Sequence, residues 1–198
     1  MNVVVSPPTT IPRRVVADRG SWAMAMFIAT EAMLFVCLFF SYFYLGHAQP
    51  KWPPEPPKYM LALVMLVILV SSSFVLHWGE SQVKHGREAA GRAATLVTIL
   101  LGLMFIAVQV KEYATHLREL QPTTDAYGSI FYTITGFHGA HVLLGLAMLA
   151  YVLALPEIGE GEKPPHRPLH NASLYWHFVD VVWVFIVALL YLAPNLAR

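Results

Sequence analysis

Charged residues are scarce in this chain. Asp, Glu, Lys and Arg make up 13% of its 198 residues, whereas hydrophobic residues make up 57% and the mean hydropathy is +0.54. An ordinary soluble domain carries about 25% charged residues, so this deficit predicts a membrane protein. The net charge of +1 provides no strongly basic surface, and we expect no nucleic acid as a partner.

Cysteine is nearly absent as well. Cys37 is the single cysteine, so the chain cannot form an internal disulfide and contains no C-x-x-C pair. Thiolate-rich zinc, iron–sulfur and binuclear copper sites are therefore not expected. The sequence also lacks a glycine-rich phosphate loop and a nucleophile elbow, which argues against nucleotide and acyl-transfer enzymes.

Five hydrophobic segments are long enough, or nearly so, to cross a bilayer, for which about 20 apolar residues are needed. They cover residues 22–45, 60–76, 93–110, 129–155 and 174–192. The second and third are short and are expected to extend into their flanking residues. We therefore predict an all-α polytopic membrane protein, in which residues 1–20 form a flexible N-terminal arm and residues 21–198 form a single five-helix transmembrane domain.

The basic residues predict an orientation for this bundle. The N-terminal arm and the second and fourth connections hold eight Lys and Arg residues, whereas the segments expected on the other side hold five. Basic residues are enriched in cytoplasmic loops. The distribution therefore favours a cytoplasmic N-terminus and an external C-terminus.

Glu31 is the first candidate for a functional side chain, because it lies near the middle of the first span. No Lys or Arg is present in that span to neutralise it. Ionisable groups at this depth usually face protein or water and frequently mark functional sites. Two interpretations remain open: a neutral acid that bonds a neighbouring helix, or a group that exchanges protons or contacts lipid.

Two pairs of ionisable residues lie in the last two spans. His138 and His141 are three residues apart, as are His177 and Asp180, so each pair is expected to project from adjacent positions of a helix. The histidine pair predicts hydrogen bonds to a partner helix, supported by the small residues Gly136 and Ala140. The alternative, a metal site, normally needs three or four ligands. The His–Asp pair is typical of a proton relay or of a polar clamp between helices.

Three further residues are expected at the membrane surface. Glu112 and Tyr113 close the third span, where contact with solvent or lipid headgroups is the expected role. Trp52 precedes two prolines and is expected to act as an interface anchor in a rigid turn.

Five segments together resemble subunit III of the haem-copper terminal oxidases, the cytochrome c oxidase subunit III family. In chain order they are ATEAMLF at Ala29–Phe35, KWPPE at Lys51–Glu55, QVKEY at Gln109–Tyr113, AYGSIFYTITGFHGAHVLLG at Ala126–Gly145 and YWHFVDVVW at Tyr175–Trp183. Many family members have seven spans, and the pair that this chain lacks would precede Glu31. The resemblance is therefore to the short, five-helix bacterial form.

The resemblance implies an accessory subunit with no catalytic residue, metal or redox cofactor of its own. Such a subunit packs on subunit I, where haem and copper reside, and assembles with subunit II and other subunits of the respiratory complex in the bacterial cytoplasmic (inner) membrane. It supports proton uptake and stabilises the catalytic subunit during O2 reduction coupled to proton pumping. Bound phospholipid is compatible with the resemblance, but lipid positions do not carry over from seven-span relatives.

Three alternative functions remain open. One is subunit III of a quinol oxidase, since the choice of electron donor is made on other subunits. Another is an independent membrane metal or haem protein that uses His138, His141, His177 and Asp180. The last is a proton-coupled transporter with Glu31 and Asp180 as carriers, which the absence of internal repeats disfavours.

Overall fold

The computed structural model describes residues 19–54, 59–116, 126–155 and 167–196, apart from the side chains of Arg19, Thr115, His116 and Arg167. Within these ranges every regular element is a helix and none is a strand. The elements are α1 (Arg19–His47), α2 (Tyr59–Lys84), α3 (Glu88–His116), α4 (Ala126–Ala154), α5 (Arg167–Ile186), a π-helical segment (Val187–Leu192) and α6 (Ala193–Leu196). Five candidate membrane spans result, the last of which joins the final three elements. The predicted all-α, five-span fold is confirmed.

Two sequence expectations fall on residues outside the described ranges. Most of the predicted N-terminal arm does so, and only its last two residues are described, as the start of α1. Glu55 of the KWPPE motif also lies outside the described residues.

The helices extend beyond the hydrophobic segments that predicted them. The second hydrophobic segment ends near residue 76, and α2 continues to Lys84, in line with the expected extension into flanking residues. Hydropathy marks only the part of a helix that lies in hydrocarbon, whereas the helix can continue into the headgroup region. The added turns of α2 are stabilised by an ion pair between Glu80 and Lys84, whose Oε1 and Nζ atoms lie 2.8 Å apart at i, i+4 spacing.

A glycine ends α2 and sets the sharp turn into α3. Gly86 has a φ of +76°, a conformation that glycine adopts without steric cost. Its N–H donates to the carbonyl of Val83 at 3.0 Å, and the N–H of Arg87 donates to the carbonyl of Gln82 at 2.9 Å. These two bonds are the pattern of a Schellman motif, which satisfies the last carbonyls of a helix.

Glycine also allows α2 and α3 to approach closely along their length. A Cβ atom on Gly79 would lie 2.5 Å from the Cβ of Ala94, and one on Gly91 would lie 2.2 Å from a methyl group of Val83. Neither distance is sterically allowed. The backbone of each helix therefore packs at a glycine against a side chain of the other helix. Membrane helices that associate through small residues pack in the same way.

The two C-terminal long helices form the centre of the bundle. α5 packs against α1, α2 and α4, and α1 packs mainly against α4 and α5. Trp176 and Trp183 of α5 are fully buried. Gly145 of α4 makes room for the first of them, because a Cβ there would lie 2.9 Å from the Trp176 ring.

The last span changes its helical pitch just before a proline. Over Val187–Leu192 the helix is π-type, and the N–H of Ala193 donates to the carbonyl of Ala188, five residues earlier. Pro194 has no N–H, and its ring would clash with a carbonyl four residues earlier in an α-helix. The wider π turn accommodates the proline while the chain stays helical through Leu196.

Candidate functional site

The intramembrane carboxylate of the first helix pairs with a histidine of the fourth. Oε2 of Glu31 lies 2.9 Å from Nε2 of His141, and the two side chains are 23% and 10% exposed. Phe35, one turn along α1, packs edge-on against the same imidazole with ring centroids 5.0 Å apart. This contact ties the peripheral helix α1 to the centre of the bundle.

The hydrogen bond of Nδ1 of His141 determines how many protons the Glu31–His141 pair shares. Nδ1 lies 2.7 Å from the carbonyl oxygen of Phe137. A carbonyl can only accept, so Nδ1 carries a hydrogen and donates it. One further proton then lies between Nε2 and Glu31, either on the acid or on the imidazole. The pair has no net charge in either arrangement, which suits its position in the membrane.

His138 lies in an aromatic box, three residues before His141. Its side chain is fully buried. The ring stacks on Trp183 with centroids 4.9 Å apart, and Phe105 packs edge-on at 5.7 Å. Within the described residues neither ring nitrogen has a hydrogen-bond partner. The structure therefore separates the two histidines that were expected to act together: one bonds α1, and the other packs against α3 and α5.

Ser73 of α2 joins the predicted His–Asp pair of α5. Its hydroxyl donates to Oδ2 of Asp180 and lies 2.9 Å from Nδ1 of His177. The Ser73 hydrogen is used on the carboxylate, so Nδ1 of His177 donates to Ser73. Nε2 of His177 lies 3.3 Å from the hydroxyl of Ser173 on the same helix. His177 and Asp180 therefore act together through a residue that the sequence analysis did not select.

Glu112 lies deeper than its sequence position suggested. The expectation was contact with lipid headgroups, but the structure places this residue inside the bundle with 2% exposure. Oε1 accepts a hydrogen bond from the hydroxyl of Tyr191 at 3.3 Å. Tyr113 is half-buried, and its hydroxyl lies 2.5 Å from the hydroxyl of Thr135. Both residues join α3 to neighbouring helices.

Trp52 holds the first connection against the bundle. Its ring lies 5.4 Å from that of Tyr42 on α1 and 5.2 Å from that of Tyr127 on α4. Gly46 lies directly beneath it, where a Cβ would be 2.7 Å from the indole ring. The half-buried indole thus packs on protein.

A further polar contact between α2 and α5 was missed by sequence reasoning. Glu80 is 5% exposed, and its Oε1 lies 2.8 Å from Nδ1 of His170 as well as 2.8 Å from Nζ of Lys84. Both Glu80 and His170 lie outside the hydrophobic segments 60–76 and 174–192 from which these two helices were predicted. The i, i+4 spacing of Glu80 and Lys84 was the available signal for a helix.

Taken together, these contacts connect helices. The pair Gly136 and Ala140, expected in a helix interface, lies on the outer surface of α4. In the described part of the chain, no three His, Cys, Asp or Glu side chains are arranged to hold a metal ion. The arrangement can fix helix positions and share protons locally.

Comparison with known proteins gives a consistent family. A family model described as cytochrome c oxidase subunit III matches residues 13–194. The chain is 38% identical over 179 residues to cytochrome c oxidase subunit 3 of Synechocystis sp., covering 88% of this chain and 76% of that protein. It is 34% identical over 172 residues to the protein of the same name from Thermostichus vulcanus, covering 85% of each. It is 33% identical over 180 residues to that of Gallus gallus, covering 86% of this chain and 68% of the relative. This chain therefore belongs to the cytochrome c oxidase subunit III family, as the order of its sequence motifs predicted.

Proposed function

We propose that this chain is the accessory subunit III of an aerobic haem-copper oxidase that takes electrons from cytochrome c. The observation that carries the proposal is the continuous family match over residues 13–194, with relatives named cytochrome c oxidase subunit 3. Those names favour cytochrome c over a quinol as the electron donor. The oxidoreductase is the whole complex, to which this chain contributes no redox centre.

The proposed direct partner is subunit I, with subunit II and further respiratory subunits in the same complex. In this proposal haem and copper are held by the partners. Phospholipid is proposed to cover the outer side of α1, which exposes large apolar side chains. Among them are Trp22, Met26, Met33, Phe40 and Tyr44, each more than 60% exposed.

The proposed mechanism is indirect. Glu31–His141 fixes α1 to α4, while Ser73 and Glu80 fix α2 to α5. A bundle held in this way keeps a constant shape beside the catalytic subunit. That shape supports proton uptake and prevents loss of activity while the enzyme turns over.

The proposal includes a location and an orientation. The chain lies in the bacterial inner membrane as one five-helix domain. The excess of basic residues on one side supports a cytoplasmic N-terminus and an external C-terminus. In that orientation, the turn between α2 and α3 faces the cytoplasm.

Co-purification tests the proposal. An affinity tag on this chain should recover subunits I and II from solubilised membranes, and the recovered complex should show haem absorption and oxidise reduced cytochrome c. Enzyme prepared without this chain should start at a similar rate and lose activity in fewer turnovers. A preparation that oxidises quinol and ignores cytochrome c would favour the quinol oxidase alternative. Stoichiometric haem or metal on the chain stripped of its partners would contradict an accessory role.

A further inference from the structure

We infer that the interior of the bundle contains a binding site for an ordered water molecule, formed by Gln109 of α3, His138 of α4 and Trp183 of α5. His138 and Trp183 are fully buried, and Gln109 is 4% exposed. Within the described part of the chain, no hydrogen bond reaches the indole nitrogen of Trp183, either ring nitrogen of His138 or either polar atom of the Gln109 amide. The inference goes beyond the proposed function, because the site lies inside this chain and needs no partner subunit.

The two rings of the site are in direct contact. Those of His138 and Trp183 stack with centroids 4.9 Å apart. Phe105 of α3 packs edge-on against both, with centroid distances of 5.7 Å to His138 and 4.9 Å to Trp183. Gln109 follows Phe105 by four residues, so its amide lies roughly 6 Å further along the same face of α3.

Contacts of the next turn confirm that this face of α3 points into the bundle. Glu112, three residues after Gln109, accepts a hydrogen bond from the hydroxyl of Tyr191 at 3.3 Å. The ring of Tyr191 lies 6.5 Å from that of Trp183 on the same span. Gln109 is therefore enclosed between the level of Phe105 and the level of Tyr191, where α3, α4 and the last span meet.

Each of the three side chains requires a hydrogen-bond partner. The indole N–H of Trp183 can only donate, every form of histidine carries at least one N–H, and the amide of Gln109 has two hydrogens to donate and an oxygen that accepts. Buried polar groups in proteins are hydrogen-bonded in the great majority of cases, because an unpaired one is costly in a low-dielectric interior. Neither lipid nor a partner subunit can provide the bond, since burial keeps both away from these atoms.

Water is the occupant that matches this set of groups. The indole N–H needs an acceptor, whereas the amide oxygen of Gln109 needs a donor. A metal cation accepts no N–H bond. An anion donates none, and its charge would be costly in the interior. A water molecule both accepts and donates, and a buried water typically makes about three hydrogen bonds to such groups. Its bonds would join α3, α4 and α5 at one point.

X-ray footprinting in isotopically labelled water tests the site. X-rays convert bound water into hydroxyl radicals, so a buried ring acquires solvent oxygen where it contacts a bound water. The sample is the full-length tagged chain, purified with whichever subunits accompany it. We expect Trp183 to be labelled at least about threefold faster than Trp176, because only Trp183 contacts a bound water.

Trp176 is the matched control within the same chain. It is fully buried as well, but its indole N–H donates to the hydroxyl of Ser72 at 2.9 Å. Labelling of Trp183 that is no faster than that of Trp176 would overturn the inference. This comparison needs no substitution, so it stands whether or not a variant folds.

A substitution of Gln109 tests the contribution of α3. Gln109→Leu removes an acceptor and two donors from the site, so labelling of Trp183 should fall to nearly the level of Trp176. Val110→Leu, at a 62% exposed neighbouring position, is the control and should leave the labelling unchanged. Full labelling of Trp183 in Gln109→Leu would overturn the three-residue site. In an electron cryo-microscopy map that resolves buried water, density should lie about 2.7–3.2 Å from the indole nitrogen of Trp183; a side-chain oxygen in that place would refute the site.

Discussion

At the scale of single residues, four ionisable side chains of the membrane spans are stabilised by a polar partner on another helix or on the same helix. Glu31, His141, His177 and Asp180 were selected from the sequence because ionisable groups are rare in membrane spans. The structure gives each of them a polar partner, and three of the bonds cross between helices. Removing one side of such a bond leaves a buried polar group unsatisfied, which costs about 1–3 kcal/mol.

The first prediction concerns Glu31. Glu31→Gln should assemble into the complex, because an amide can still bond Nε2 of His141, but it should shorten the catalytic lifetime more than it lowers the initial rate. Glu31→Leu should also lower the yield of the complex, because the imidazole loses its partner. The measurements are the yield of purified oxidase and the number of turnovers before activity falls by half.

Met33→Leu provides the matched control for these variants, since Met33 is 62% exposed on the same helix. It should resemble the wild type in yield and in catalytic lifetime. A Glu31→Gln enzyme that decays at the wild-type rate would count against a role for this carboxylate in sustained turnover.

The second prediction concerns Asp180. Asp180→Leu removes the acceptor of the Ser73 hydroxyl and disturbs the bond that His177 donates to Ser73, so the yield of assembled complex should fall severalfold. Asp180→Asn keeps an acceptor oxygen and should fall less. Val181→Leu, at a 52% exposed neighbouring position, is the control. Quantitative immunoblots of membranes and of purified complex measure the effect; full assembly of Asp180→Leu would refute it.

The sequence identified the ionisable residues within the spans but not which residues they contact. His138 and His141 share i, i+3 spacing, yet an α-helix of 3.6 residues per turn separates such positions by about 60°. In a packed bundle that angle is enough to direct one ring to Glu31 and the other to Trp183. Neither Ser73 nor Glu80 is marked by the sequence as a contact between helices. Serine is common in helices of any kind, and Glu80 lies next to a charged connection, where carboxylates are usually solvated.

At the scale of helices, hydropathy predicted the number of spans but not their ends. The end of α2 depends on Gly86 and on the Glu80–Lys84 pair, which lie beyond the apolar run. Gly86 and Gly91 both lie in the charged stretch after the second hydrophobic segment, and by sequence alone either could interrupt a helix there. Only contacts between helices distinguish them: Gly91 lies within α3 and faces Val83, whereas Gly86 forms the turn.

The third prediction tests the close packing of α2 on α3. Gly79→Ala should destabilise the chain by about 1–3 kcal/mol, because the new methyl group would collide with Ala94, whose Cβ cannot move without its backbone. Thermal inactivation of the purified complex should therefore occur at a lower temperature.

Gly139→Ala is the matched control for this packing. A Cβ at Gly139 meets no atom within 4 Å, and alanine favours a helix over glycine by up to about 1 kcal/mol. This variant should be as stable as the wild type or slightly more so. Equal stability of the Gly79 and Gly139 variants would contradict the close approach of α2 and α3.

At the scale of the whole molecule, the proposed orientation of the five spans predicts which turns face each side of the membrane. In a background where Cys37 is replaced by alanine, a single cysteine at His85 should react with an impermeant maleimide only from the cytoplasmic side. A single cysteine at Lys51 should react only from the external side. Both positions are exposed in connections at opposite ends of α2. Labelling of right-side-out and inverted vesicles measures this, and the reverse pattern would refute the proposed orientation.

The proton shared by Glu31 and His141 has a consequence for the energised cell. Its two positions lie between Oε2 and Nε2, which are 2.9 Å apart, so the proton moves by less than about a tenth of a hydrocarbon layer of roughly 30 Å. A full crossing of one charge is worth about 2.3 kcal/mol per 100 mV, so each 100 mV alters the balance between the two positions by less than about 0.2 kcal/mol. The pair can therefore hold α1 equally well at rest and under a full respiratory voltage.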